Sequence, residues 1–159
     1  MYQKGQQLLE RIRLFLAKLD AQPQQEAPVD FATALGALMV EVMRADNDIA
    51  PDELKMITQL LQQHCQLSAH SSDLICSEAQ QLVDEAIDLH RFVKVVNDNT
   101  SEEARIEVIE LLWMVAFADG KLDPQEDYTV RKLAGLMYVS HGDFIAAKLN
   151  VKGILGLPD

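Results

Sequence analysis

Apolar residues recur along the chain at intervals of three and four positions, the spacing that places them on one face of an α-helix. Polar stretches and prolines interrupt this periodicity and mark the ends of the periodic segments. One apolar stripe runs through 31–42, and Pro51 opens the next helix. Further helices are predicted over 71–88, from Ser101 to Phe117, from Pro124 to Tyr138 and from His141 to Leu149, whereas a short segment at 89–96 precedes a turn cluster at 97–100.

The segment from Ser101 to Phe117 has almost no polar residue in its second half, which is typical of a helix at the centre of a protein. Ser101 stands directly before a first turn rich in carboxylates, so we expect it to cap this helix. The composition also favours helices, because apolar residues make up 48% of the 159 positions and aromatic residues only 6%. The sequence therefore predicts an all-α fold, a compact bundle of about seven helices.

Residues 1–19 form a separate unit at the start of the chain. Their apolar residues follow helical spacing and their polar face is basic, which predicts an amphipathic helix. Residues 20–28 contain two prolines and show no periodicity, so they are predicted to be a linker. The main domain is then expected over 29–150, followed by a loosely held tail at 151–159.

The charges of the chain are distributed unevenly. Residues 1–20 carry four basic and two acidic side chains, a net +2, which leaves ten basic against 23 acidic in residues 21–159, a net −13. Such an acidic body repels phosphate backbones, so nucleic-acid binding is not expected. The basic helix can dock on the acidic body of the same or a neighbouring chain, or lie on anionic lipid. Its predicted partner contacts are Arg11, Ile12, Phe15 and Leu16.

The sequence predicts neither export nor a membrane span. Arg and Lys interrupt the apolar residues of the first segment and no cleavage site follows, while the longest apolar stretch, 108–118, is short and contains Glu110. Cys65 and Cys76 form no zinc or redox motif, so we expect two reduced thiols. The alternative, in which His64 and His70 join Cys65 as soft metal ligands, lacks a second compact pair. The chain is expected to be a soluble, cytoplasmic protein.

An internal repeat at an offset of 73 residues is the most informative motif. The stretch ADNDIAPDE at 45–53 aligns with ADGKLDPQE at 118–126, and the flanking apolar residues superpose in the same register. Each half therefore predicts an apolar helix, an acidic turn and a second helix that starts at proline. Two such hairpins can bury their apolar stripes against each other around an approximate two-fold axis.

The repeated carboxylates have two interpretations. Asp123 and Glu126 fit a capping box at the start of a helix, with Glu53 at the same place in the first copy. Asp46 and Asp119 each follow an apolar helix, where the helix dipole disfavours an anion by about 0.3–1 kcal/mol. Backbone N–H groups in an Asx-turn can offset that cost, and so can a bound divalent cation. The candidate metal ligands are Asp46, Asp48, Glu53, Asp119, Asp123 and Glu126.

The second acidic turn looks like the latter half of an EF-hand calcium loop, with Asp119, Gly120 and a final Glu126. The first half of such a loop is missing, because Val115 and Phe117 occupy the positions of its first oxygen ligands. A cation site here would therefore use few protein oxygens together with water, and it would be weak.

The repeated A-D-x-x-[IL]-x-P-x-E pattern on paired helices resembles the TerB-like family, named for tellurite resistance protein B, over roughly residues 28–150. The resemblance implies an all-helical domain of about seven helices with pseudo-two-fold halves. It also implies a binding or scaffolding role in bacterial stress response and metal resistance, with a divalent ion as an open question. The acidic positions of the family fall on Asp46, Glu53, Asp119 and Glu126 here, and Asn47 departs from the glycine found at Gly120.

The sequence contains no catalytic signature. It has no nucleophile elbow, phosphate loop, dinucleotide fingerprint or H-E-x-x-H motif, and its seven glycines are scattered. The leading hypothesis is a non-enzymatic cytoplasmic module that binds a protein partner. The alternative is a weak sensor of divalent metal ions at the two acidic turns.

Overall fold

The computed structural model describes residues 30–46, 51–85, 89–118 and 120–158. These residues form seven α-helices and no strand, which confirms the all-α prediction. The predicted N-terminal helix and linker lie outside the described residues. A 3₁₀ turn, Arg44–Asp46, follows the first helix. The helices are α1 (Phe31–Met43), α2 (Pro51–Cys65), α3 (Ala69–Asp84), α4 (Leu89–Asp98), α5 (Glu102–Ala116), α6 (Pro124–Leu136) and α7 (His141–Ile154).

Short polar side chains fix where the helices begin. The Asp30 carboxylate accepts a hydrogen bond from Ala32 N at 3.1 Å at the start of α1. Ser101 accepts one from Ala104 N at 3.1 Å, which confirms its predicted role as the cap of α5. Caps of this kind satisfy N–H groups that have no partner inside the helix, and each stabilises a helix by about 1 kcal/mol. The helix starts are therefore determined locally.

Helix α1 lies at the centre of the bundle. Eleven of its 13 residues are buried, and it packs against α2, α3, α4, α5 and α6. The predicted central segment, α5, contributes seven buried residues, so the core has two axial helices instead of one. The difference arises from small residues in α1: a Cβ atom added at Gly36 would lie 3.4 Å from Ala79 Cβ of α3. Such close approach lets neighbouring helices surround α1 on all sides.

Several helices differ from the sequence-based bounds. Helix α3 runs over Ala69–Asp84 instead of 71–88, because Ser68 caps its start and Glu85 ends it. Helix α6 ends at Leu136 and not at Tyr138, whose φ of +60° is left-handed.

The turn cluster predicted at 97–100 begins too early, because α4 continues to Asp98. Buried Phe92 and Val96 hold α4 against the core, and the Asn97 amide donates to the Leu136 carbonyl oxygen at 3.2 Å. Helix α7 continues beyond Leu149 to Ile154, so the predicted domain boundary at residue 150 falls inside this helix.

Helix α7 packs on α5 through an aromatic cluster. The Trp113 ring lies 5.1 Å from the Phe144 ring and 5.7 Å from the Phe117 ring, measured between centroids. Lys148 Nζ lies 5.1 Å from the centroid of the Trp113 ring, so its stem closes the cluster from the solvent side. Among the helices described here, none is long and apolar enough to cross a membrane.

Candidate functional site

The helices that flank the two acidic turns repeat at the same offset as the sequence. Helices α1 and α5 end at residues 43 and 116, and α2 and α6 both begin at the prolines of the motif. In each hairpin the first helix packs on the second, as α1 does on α2 and α5 on α6. The first helix of each hairpin also packs on the second helix of the other, so α1 contacts α6 and α5 contacts α2. This reciprocal packing is the kind that a pseudo-two-fold arrangement requires, and the symmetry itself stays a prediction.

The second acidic turn is built from local hydrogen bonds. Gly120 has a φ of +83°, in the left-handed region, and its N–H donates to the Phe117 carbonyl oxygen at 2.9 Å. Asp123 then caps α6 by accepting from Gln125 N at 2.7 Å, and the Glu126 carboxylate accepts from Asp123 N at 3.4 Å. The predicted capping box is confirmed.

Burial distinguishes the two glutamates of the repeat from ordinary caps. Glu53 is 3% exposed and Glu126 is 2% exposed, and both occupy the third position of a helix that starts with proline. The helix dipole favours a carboxylate in a first turn by about 0.3–1 kcal/mol. Removing a charge from water costs more free energy than the helix dipole supplies. A buried carboxylate at either site therefore requires hydrogen-bond donors or positive charges close to it. The capping interpretation of the sequence did not predict this burial.

The other predicted ligands are described only in part. The backbone of Asp46 belongs to the 3₁₀ turn, its side chain is outside the description, and Asp48 and Asp119 lie outside the described residues. The 3₁₀ turn packs against α6, which places the first acidic turn beside the helix that opens with the second motif. Arg44, in the same 3₁₀ turn, forms an ion pair with Asp84 at the end of α3.

Within the described parts of the chain, no group of three His, Cys, Asp or Glu side chains is arranged to hold a metal ion. The structure brings Asp123 and Glu126 together in the capping box and buries Glu53 in the other hairpin. A cation at either turn would therefore need oxygens from the aspartates at positions 46, 48 and 119, together with water.

Comparison with known protein families identifies the family to which this helical domain belongs. A family model described as tellurite resistance protein TerB matches residues 32–149, well over half of the chain. The chain belongs to the TerB family. Comparison with curated proteins and with solved structures gives no match. The TerB match begins in α1 and ends in α7, so it includes both hairpins and both acidic turns.

The TerB domain keeps its two cysteines as free thiols. Burial raises the pKa of Cys65 to about 11, with a smaller contribution from the Asp30 carboxylate, and burial also raises the pKa of Cys76. His64 and His70 are both exposed, and neither joins a three-ligand group with Cys65. These positions agree with the predicted reduced thiols.

We expect both native thiols to react slowly with a disulfide reagent. At pH 8 a thiol with a pKa near 11 holds about 100-fold less thiolate than one with a pKa near 9. Ellman's reagent should therefore label Cys65 about 100-fold faster in the denatured chain than in the native one. Because the native pKa is the higher one, this neutral thiol stabilises the fold below pH 9, and the contribution is lost as the pH rises towards 11. Equal labelling rates in the two states would contradict the burial.

A second feature of the TerB domain, which no motif in the sequence indicates, is a cavity of about 230 Å³ between the first turn of α5 and the α6–α7 turn. Arg105 lines it and donates to the Met137 carbonyl oxygen at 3.3 Å. Tyr138, beside it, is 83% exposed and has a φ of +60°. Its N–H donates to Gly135 O and Val139 N donates to Ala134 O, which closes the end of α6 with a tyrosine where glycine is usual.

Replacing Tyr138 by glycine is expected to stabilise the protein. A left-handed conformation costs a non-glycine residue about 1–2 kcal/mol, and glycine adds back about 0.5–1 kcal/mol through its freer unfolded chain. The free energy of unfolding of Tyr138→Gly should therefore exceed that of Tyr138→Ala by up to about 1.5 kcal/mol, because the alanine variant removes the same exposed ring and keeps the strain. Chemical denaturation of both variants measures this difference. A glycine variant no more stable than the alanine variant would show that the turn is not strained.

Proposed function

We propose that this TerB protein is a non-enzymatic cytoplasmic module that binds a protein partner, in keeping with the stress-response role that the TerB resemblance implies. Residues 1–19 carry the contact, and Arg11, Ile12, Phe15 and Leu16 touch the partner. The compact domain serves as the scaffold from which this segment extends.

The observation that carries the proposal is the separation of charge along the chain. The first 20 residues are net +2 and the remainder is net −13, although the family model begins only at residue 32. A basic, amphipathic segment attached to an acidic domain is suited to bind another acidic and apolar surface. Linker residues 20–28, with two prolines, supply the reach that such a segment needs.

A photo-crosslinker placed on the predicted apolar face tests this proposal. We expect benzoylphenylalanine at position 16 of the full chain to give a discrete adduct with a second protein molecule in cells. The same group at position 17, on the opposite side of the predicted helix, serves as the control. The adduct should disappear when Phe15→Asp is added. Equal yields at the two positions, or products of monomer mass only, would refute the partner role.

The alternative function is weak binding of a divalent metal ion at the two acidic turns. The observation in its favour is that both repeats bury a glutamate, Glu53 and Glu126, at the same position beside the turn. Together with Asp46, Asp48, Asp119 and Asp123, these residues would supply carboxylate oxygens, the ligands that Ca²⁺, Mg²⁺ and Mn²⁺ prefer. A bound cation would stabilise the charged form of carboxylates that are shielded from water.

Calorimetry with Ca²⁺, Mg²⁺, Mn²⁺ and Zn²⁺, combined with melting curves, separates metal binding from a purely structural role. A ligand that binds only the folded state raises the melting temperature, so the wild type should be stabilised by one of these ions. The Asp46→Ala/Asp119→Ala variant should lose both the heat and the stabilisation. The control Asp52→Ala/Asp143→Ala removes the same charge at exposed positions and should retain them. Heat that survives the first pair of substitutions would exclude the site.

A further inference from the structure

Helix α7 has an outer face that no described element covers. Its inner face, with Phe144, Ala147 and Val151 buried, packs mainly on α5 among the described helices. Side chains of α6 also reach α7, because Arg131 lies over the Phe144 ring and Lys148 pairs with Asp127.

Leu149 is 51% exposed and Ile154 is 60% exposed. They lie about 140° apart around the helix axis, so they border the uncovered face, with exposed Ala146 and Gly153 between them. From Ala146 to Ile154 none of the exposed residues is charged, in a chain in which a quarter of all residues are charged. Exposed apolar surface of this kind is typical of a contact site.

An acidic row borders this face. Glu103, Glu107 and Glu110 of α5 are spaced four and three positions apart, which places them on one side of the helix. The amide of Asn150, on α7, donates to the Glu110 carboxylate, so the acidic row lies directly alongside the uncovered face of α7. Together, Glu103, Glu107, Glu110, Ala146, Leu149 and Ile154 define what we call the α5–α7 face.

The chain contains a segment with the complementary pattern. If residues 1–19 form the predicted helix, Leu8, Ile12 and Phe15 make one apolar stripe. Lys4, Arg11 and Lys18, each seven positions apart, then form a basic row along one edge of that stripe. Seven positions span about 10.5 Å of helix, which is also the span from Glu103 to Glu110. Apolar residues therefore meet apolar residues, and basic residues meet the acidic row.

The linker is long enough for this contact. Ten residues, 20–29, separate the segment from Asp30, and at full extension they span about 33–36 Å. A domain of this size is about 35 Å across, from a radius of gyration of about 14 Å. A short tether also gives an effective concentration in the millimolar range, so a modest interface is sufficient for docking.

We propose that the α5–α7 face is the docking surface for residues 1–19 of this chain. The inference rests on the proposed function, in which this segment binds a protein surface, and it identifies that surface. The apolar stripe packs on Leu149 and Ile154, and the Arg11 and Lys18 side chains lie against the α5 carboxylates. The segment comes from the same molecule or is exchanged with a second copy, and both arrangements use the same contacts. An anionic membrane does not fit this face, because the acidic row repels it.

Hydrogen exchange of the full chain, read by mass spectrometry on residues 5–19, tests the docking. An isolated helix of this length is marginal in water, so only a docked segment is protected. We expect at least tenfold protection in the wild type and its loss in Glu103→Lys/Glu110→Lys, which reverses the two charges that are spaced like Arg11 and Lys18. Adding Arg11→Glu/Lys18→Glu to that variant should restore protection, because the charges are exchanged. The control Asp73→Lys/Glu85→Lys makes the same charge change at two exposed positions, one in α3 and one at its C-terminal cap, and should leave protection intact.

The outcomes separate this inference from the proposed function. Protection that survives both face substitutions but is lost in Phe15→Asp would place the segment on another surface, which overturns the α5–α7 face and leaves the partner role standing. Absence of protection in the wild type overturns the inference outright. Circular dichroism of each variant shows that the domain remains folded, and sedimentation distinguishes docking within a monomer from exchange in a dimer. Exchange in a dimer, with the charge-swap rescue, supports both the α5–α7 face and the partner role. Docking within a monomer, with the same rescue, supports the α5–α7 face and overturns the partner role.

Discussion

Trp113→Ala is expected to lower the free energy of unfolding by about 3–5 kcal/mol, the usual cost of removing a buried aromatic ring. Trp113 is fully buried, stacks on the Phe117 ring and packs against the Phe144 ring at a tilt, so its removal leaves a cavity at the contact between α5 and α7. It also removes the ring on which Lys148 lies. Denaturant titration followed by far-UV circular dichroism measures the change, since the variant has lost the single tryptophan of the chain.

Trp113→Phe provides the matched control. The Trp113 Nε1 atom is buried and has no hydrogen-bond partner among the described residues, so phenylalanine loses volume without losing a hydrogen bond. We expect a cost clearly below that of the alanine variant, about 1–2 kcal/mol. If the two substitutions were equally costly, the stability of this region would not depend on filling the cavity between α5 and α7.

Leu38→Ala is the second large effect, with an expected loss of about 2–5 kcal/mol. Leu38 is fully buried in the middle of α1, the helix that contacts five others. Because neighbours approach α1 on all sides, they cannot collapse into the space left by the side chain without losing contacts elsewhere. The free energy of unfolding from urea titration, together with an unchanged slope, measures this loss.

Leu74→Ala makes the same chemical change at a helical position that is 37% exposed. Alanine and leucine have similar helix propensities, so the comparison isolates burial. We expect this substitution to cost less than about 1 kcal/mol. A Leu38 variant no less stable than the Leu74 variant would contradict the central position of α1.

Local chemistry made the helix starts predictable. Ser101, Asp123 and the prolines at positions 51 and 124 act through atoms within one turn of themselves, and the structure confirms the helices that they begin. The end of α4 was predicted wrongly because Asn97 and Asp98 favour turns locally. The docking of Asn97 on the Leu136 carbonyl oxygen, 39 positions away, outweighs that preference. Such a contact cannot be inferred from neighbouring residues.

Glu110 illustrates the same limit at a polar position. Its place among apolar residues in α5 indicates that the carboxylate needs a partner where it is shielded from water, but spacing along the chain does not identify that partner. The partner in the structure is the Asn150 amide of α7. The sequence could indicate that a partner was required, but only the packing of α7 on α5 determined which side chain supplies it.

The candidate site combines features that the sequence motif determines with features that only the packing of the helices determines. The repeated motif by itself identified the two acidic turns, the capping box and the TerB family, because each depends on residue types at fixed spacing along the chain. Tertiary structure alone decided that Glu53 and Glu126 are buried, that α1 is surrounded, and that no described element covers one face of α7 beside three glutamates. Burial depends on which elements pack together, and that is a property of the whole chain and not of any one segment.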